Sequence, residues 1–175
     1  MKKLLSVLLV LAMTLALTSA FAEDDKVVNI GVTSTLTTLN PLAMDNTEIV
    51  KYAVSLVFLP LVELNDQLEF VPQLADSITT DDNLTFTIHI QEDAVWSDGT
   101  PVTAEDVEFS LVIAADPDSA NASLAMYAVE GTDDGGLVEP GATEIEGVKV
   151  VDDKTLTVTT KWPTALYTFE NNFGR

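Results

Sequence analysis

The chain contains no cysteine. That absence excludes a disulfide scaffold, a thiolate metal site and a cysteine nucleophile. It also excludes a lipid-modified cysteine as a membrane tether. Basic residues are scarce: eight Lys and Arg stand against 28 Asp and Glu, a formal charge of −20. A field of that sign repels nucleic acid and anionic lipid surfaces and favours solubility. No basic patch exists to track a phosphate backbone, so nucleic acid is not an expected partner. The acid excess reads first as a solvated surface suited to saline surroundings, and more sharply as an attraction for cationic solutes. There is one histidine, His89, on what reads as the polar face of a strand, where an exposed position explains it better than a general base. GxSxG, HExxH and Gly-rich phosphate-loop patterns are all missing. Carboxylates are too many for a glycosidase pair to be dismissed by counting. Glu105-Asp106 and Asp152-Asp153, however, stand where a helix start and a turn account for them. The expectation is no catalytic residue, no metal ligand and no cofactor.

Only one long apolar run is present, and it lies at the N-terminus. Lys2 and Lys3 form a basic start, Leu4 to Leu17 an apolar stretch, and Ala20-Phe21-Ala22 a small-residue cleavage pattern followed by acidic Glu23. The run is shorter than the ~20 residues a spanning helix needs. Residues 1–22 are therefore expected to be a cleavable signal peptide, leaving a soluble periplasmic or extracellular protein that begins at Glu23. Without Lys2 and Lys3 the remainder carries six basic residues against 28 acidic ones, a charge of −22.

Beyond the signal, hydrophobic periodicity predicts alternating strands and helices. Val27 to Val32 is β-rich and reads as a strand. Asp45 and Glu48 have capping-box spacing before a helix expected over residues 46–58, with Pro60 just past its end. Leu84, Phe86, Ile88 and Ile90 alternate with Thr85, Thr87, His89 and Gln91, a half-buried strand. Val148 to Trp162 reads as strand, Asp152-Asp153 turn and strand. Gly131 to Gly141 is a glycine- and acid-rich surface loop; it lacks EF-hand spacing, so solvation explains its acids better than calcium.

Residues 96–111 carry the densest local signal. Asp98-Gly99 makes a turn, since glycine accepts positive φ and Asp can bond its own backbone. Pro101 fixes an extended approach. Thr103 is a helix N-cap, and Asp106 completes a capping box. Ala104, Val107, Leu111 and Ala114 then recur on one helical face. The string Trp-Ser-Asp-Gly-Thr-Pro-Val-Thr-Ala-Glu-Asp-Val resembles the hallmark segment of the family 5 extracellular solute-binding proteins. Four further segments resemble the same family in order and spacing: Gly31 to Leu42, Leu61 to Ala75, Leu84 to Trp96, and Val148 to Val158. Gln91 departs from the pattern, which usually has a basic residue there.

The resemblance implies an α/β fold, the N-terminal part of a two-lobe periplasmic-binding-protein architecture of class II type, with a mixed sheet and flanking helices. It implies that residues 23–175 are the N-terminal portion of the solute-binding domain, part of a first lobe plus a small α/β subdomain, and that a second lobe lies outside them. It implies a monomeric receptor of an ABC importer, capturing peptides and handing them to a membrane permease, and meeting the membrane only through that complex. A nickel complex, an oligosaccharide or another small solute is the alternative ligand; a secreted hydrolase or a purely structural secreted protein fits less well. The implied ligand contacts are Thr33, Ser34, Thr35 and Leu36, whose hydroxyls and backbone suit an extended peptide main chain, and Tyr127, an aromatic over the ligand. An ordinary polar loop and simple packing are the plain alternatives for these five. Trp96 and Trp162 read as packing residues.

Overall fold

A computed structural model of the chain describes residues 28–43, 47–119 and 124–174. The expected signal peptide and its cleavage site lie outside them, as do Val27 and Asp45. Two compact units divide between Thr33 and Ser34. In the first, residues 28–33 form no regular element, and Val28, Ile30 and Val32 are exposed. The strand expected over 27–32 is thus not formed within the described residues. β-propensity supplies a preference, but a strand is held by a partner's ladder, and no described strand pairs with this segment.

The second unit contains three helices and six strands among its described residues. A short 3-10 turn, Pro41–Ala43, precedes helix α1, Glu48–Ser55. The N-cap of α1 is Thr47, in extended conformation, rather than Asp45. The helix is also shorter than the apolar pattern suggested: it ends at Ser55, and although the Leu56 and Phe58 N–H groups still reach the Tyr52 and Val54 carbonyls, residues 56–59 lead irregularly to Pro60. Strands β1 (Val62–Leu64) and β2 (Phe70–Pro72) pair as a hairpin. Strands β3 (Ala75–Thr79), β4 (Thr85–Ile90), β5 (Val148–Asp152) and β6 (Thr155–Thr159) make a four-stranded sheet in the order β3-β4-β6-β5. Between β4 and β5 the chain forms helix α2, Ala104–Ala115, and a 3-10 turn, Leu124–Ala128; helix α3, Leu166–Phe173, follows β6. The chain is α/β with flanking helices, as expected. All described strand pairs are antiparallel, and a parallel neighbour that would make the sheet mixed is not found among the described residues.

The alternation read in residues 84–91 sets the layers. Phe86, Ile88 and Ile90 are buried, while Thr85, Thr87 and His89 are half-buried on the opposite face. The register Phe86↔Val158 and Ile88↔Leu156 continues that apolar face onto β6. Helix α2 covers β5 and β6, burying Ala104, Val107, Val112 and Ala115. The stripe expected through Leu111 and Ala114 is rotated by about one residue, since those two are only partly buried. Helix α3 brings Phe169 flat against Phe86, ring centroids 3.9 Å apart and 5° from parallel.

Four exposed aspartates hold the turns. Asp82 accepts the N–H groups of Leu84 and Thr85 at 2.8 Å, and Asp133 those of Gly135 and Leu137 at 2.8 Å. Asp98 takes the Thr100 N–H at 2.9 Å, and Asp152 the Lys154 N–H at 2.9 Å. These backbone donors favour the ionised form and hold all four carboxyls below their ordinary value of 3.8. A carboxyl with a depressed folded value stabilises the fold above its unfolded value and loses that contribution as pH falls through the folded one. Burial raises Glu170, which acts with the opposite sign: its ionisation weakens the fold and its protonation relieves the cost. The four outnumber the one, so the urea midpoint is expected to drop from about pH 5 downward. Denaturation at neutral pH and at pH near 3 checks this; an unchanged midpoint would show that the turns do not depend on the charged carboxylates.

Candidate functional site

The hallmark loop is fixed from both ends. Trp96 and Thr100 close the turn through an N–H to carbonyl bond of 2.8 Å, with Gly99 at φ +87° inside it. Asp98 also accepts the Thr100 hydroxyl at 2.7 Å. The capping box of α2 is present, and its acidic half is the more heavily used. Asp106 Oδ2 accepts the Thr103 N–H at 2.8 Å, the Thr103 hydroxyl at 3.1 Å and the Trp96 indole N–H at 3.4 Å. Asp106 therefore ties helix start and turn together. Thr103→Ala is expected to cost about 1 kcal/mol and Asp106→Ala about 1–2 kcal/mol. Urea denaturation of the two variants checks the order; equal midpoints with wild type would place the restraint elsewhere.

Sequence reasoning missed the role of Lys154. It sits in the β5–β6 turn, yet its ammonium donates to the carbonyls of Gln91 at 3.1 Å and Val102 at 2.8 Å. The Ala104 N–H returns to the carbonyl of Asp153 at 2.8 Å. One cation thus joins the end of β4, the hallmark loop and the β5–β6 turn. Gln91 supplies a further link, its side-chain amide donating to the Gln73 carbonyl. The amide thus still provides a donor where the family usually has a basic residue. No local pattern announces contacts spanning 52 and 63 residues of sequence.

The five expected ligand contacts are separated in kind. Thr33, Ser34, Thr35 and Leu36 are exposed and outside regular structure, with a bend at Thr33 and Ser34. Tyr127 lies in the 3-10 turn between α2 and β5 and is 43 % exposed. Its ring packs against Trp162, centroids 5.6 Å apart at 36°. Met126 and Ala128 on either side of it are buried. Trp96, 45 % exposed, keeps its indole bonded to Asp106. His89 is half-buried, 3.6 Å from Glu92, which agrees with a strand-face position. Among the described residues no three His, Asp or Glu side chains are grouped as metal ligands.

Two apolar grooves flank Phe58 and Leu59. One of about 480 Å³ runs between α1, α2 and Phe173; the other, about 620 Å³, runs beside Val95 and Trp96. A more polar hollow of about 440 Å³ lies over the loop from Gly131 to Pro140. None of the three is lined by Thr33–Leu36 or by Tyr127.

Residues 69–174 match the bacterial extracellular solute-binding proteins, family 5 Middle. The chain belongs to this family. Among its family 5 relatives, the periplasmic oligopeptide-binding protein OppA of Escherichia coli is 40 % identical over 95 residues, 53 % of this chain and 17 % of OppA. The dipeptide-binding protein DppE of Bacillus subtilis is 36 % identical over 107 residues, 59 % of this chain and 19 % of DppE. The chain therefore spans less than a fifth of the length of these curated relatives. The unliganded open form of the periplasmic murein tripeptide-binding protein MppA superposes with TM-score 0.64 at 26 % identity, over 78 % of this chain and 27 % of MppA. Haemophilus influenzae OppA in complex with the peptide RPPGFSPFR gives 0.62 at 30 % identity, over 78 % and 27 %. The hallmark loop, the capped helix and the four-stranded sheet fall within the family 5 match.

Proposed function

We propose that this chain is part of the solute-binding receptor of an ABC importer, one that captures extracellular peptides and delivers them to a membrane permease. The observation that carries the reading is the family 5 match over residues 69–174, together with relatives that bind oligopeptides and dipeptides. Residues 1–22 direct export and are removed. Residues 23–175 form the N-terminal portion of the binding domain, a part of its first lobe with a small α/β subdomain. Thr33, Ser34 and Thr35 offer hydroxyl and backbone partners to the main chain of an extended peptide, Leu36 adds apolar contact, and Tyr127 provides an amphipathic ring. Their exposure leaves those groups available. The receptor is a monomer that binds and releases without catalysis, cofactor or metal, and it touches the membrane only through the permease.

Native mass spectrometry of the full-length protein purified from its own host tests this. The expected spectrum shows a polypeptide beginning at Glu23 with added masses of short peptides. A nickel complex, an oligosaccharide or another small solute as the added mass would replace peptide as the ligand. Retention of Met1 in a membrane fraction would contradict export with cleavage.

A further inference from the structure

Tyr127 and Trp162 come from different parts of the chain and meet at the surface. Their exposures, 43 % and 44 %, leave part of each ring open to solvent while the two stay in contact. Exposed aromatics are usually mobile at χ1, but here both backbones are held by buried bonds. Met126, Ala128 and Val129 are buried around Tyr127. Val129 bridges Thr160, and the Lys161 N–H donates to the Ala128 carbonyl at 2.8 Å, lacing the two segments together. Thr160, 2 % exposed, donates its hydroxyl to the Trp162 carbonyl at 2.9 Å, and Thr164 donates to the same carbonyl at 3.2 Å. Gly136 packs on the Tyr127 backbone so closely that a Cβ there would lie 2.8 Å from the Met126 carbonyl carbon. The pair is a prebuilt platform, and little conformational freedom remains to be lost when something binds to it.

Charge selects what it would hold. The face of each ring carries negative quadrupole density and attracts a cation, Trp more strongly than Tyr. The surrounding field has the same preference, at a formal charge of −20. The nearest basic residue in sequence, Lys161, does not oppose this. Its ammonium is held by the Asp133 carbonyl, to which it donates at 2.9 Å, and its charge favours the ionised Asp133 carboxyl.

We propose that Tyr127 and Trp162 together form a subsite for a cationic side chain of a bound peptide, so that the receptor favours peptides carrying Arg or Lys. This rests on the peptide-receptor reading and names a selectivity within it. Trp162 is then a specificity residue, although its place after a strand end suggested packing alone.

Isothermal titration of the full-length protein with Ala-Arg-Ala and its neutral isostere Ala-citrulline-Ala reads the subsite. The arginine peptide is expected to bind about three- to tenfold more tightly. Trp162→Ala should abolish that preference, and Trp162→Phe should keep most of it. Trp162→Leu, which fills similar space without a π face, takes the place of the alanine variant if that protein does not fold by circular dichroism. Equal affinities in the wild type overturn the subsite alone, as does a preference that survives removal of the ring. Binding of neither peptide overturns the receptor reading itself, a result distinguishable from the first because no heat of binding is seen.

Discussion

Phe86→Ala is expected to destabilise the chain by about 3–5 kcal/mol, since truncation of a fully buried phenylalanine loses its transfer energy and leaves a cavity. Phe86 has no exposed surface and lies near the start of β4, one of the two strands with neighbours on both sides. It stacks on Phe169, which in turn packs on Phe173 at 4.8 Å. Loss of the ring therefore removes the contact that seats α3 on the sheet, in addition to the area it buries. Domains of this size are stable by roughly 5–15 kcal/mol, so the variant should be marginal or unfolded. Phe109, 64 % exposed on α2, is the control: Phe109→Ala should stay within about 0.5 kcal/mol of wild type. Urea denaturation followed by circular dichroism measures both. A Phe86→Ala midpoint close to that of the control would mean that the sheet and α3 are not one cooperative unit.

Gly136→Val is the second large effect, expected at about 2–5 kcal/mol because strain at positive φ and overpacking add. Gly136 has φ +81°, and its missing Cβ is what lets the loop lie on the backbone of Met126 and Tyr127. A valine meets fixed backbone, so the loop or the 3-10 turn must move. The effect reaches beyond stability, because Tyr127 is carried on that turn. Gly141 is the comparison: its φ is +80°, but a Cβ there meets nothing within 4 Å. Gly141→Val should pay only the backbone strain, about 1–3 kcal/mol. Near-ultraviolet circular dichroism, which reports the Tyr127–Trp162 environment, should change in Gly136→Val and not in Gly141→Val. The same loss in both would reduce the effect of Gly136 to conformation alone.

Much of the fold was legible because local rules and tertiary demands agree in its central part. The alternation from Leu84 to Gln91 named the buried face of β4, since a strand inside a two-layer unit shows period-two burial. The Asp98-Gly99 turn and the Thr103–Asp106 box are local bonding patterns, complete within a few residues, and both are formed. The ends were harder. Val28, Ile30 and Val32 have strand composition, but no described strand supplies the ladder that would make them one. Residues 56–58 carry helical periodicity, yet α1 ends at Ser55; Leu56 keeps a helical conformation, and Pro60 directly restricts only Leu59. The reach of Lys154 to Gln91 and Val102, and the meeting of Tyr127 with Trp162, depend on β6 lying between β4 and β5. That is a topological fact, and no short pattern contains it.

The receptor reading is tested most directly by isothermal titration of peptide into two proteins, the full-length protein and its 23–175 segment alone, using a mixed pool of di- to pentapeptides. The ordering cost of association is several kcal/mol before net affinity appears, and Thr33 to Leu36 with Tyr127 present too few groups to exceed it while most of the ligand stays solvated. The account predicts binding by the full-length protein and no measurable heat with the segment. Micromolar binding by the segment alone would contradict it, because the site would then be complete within these residues.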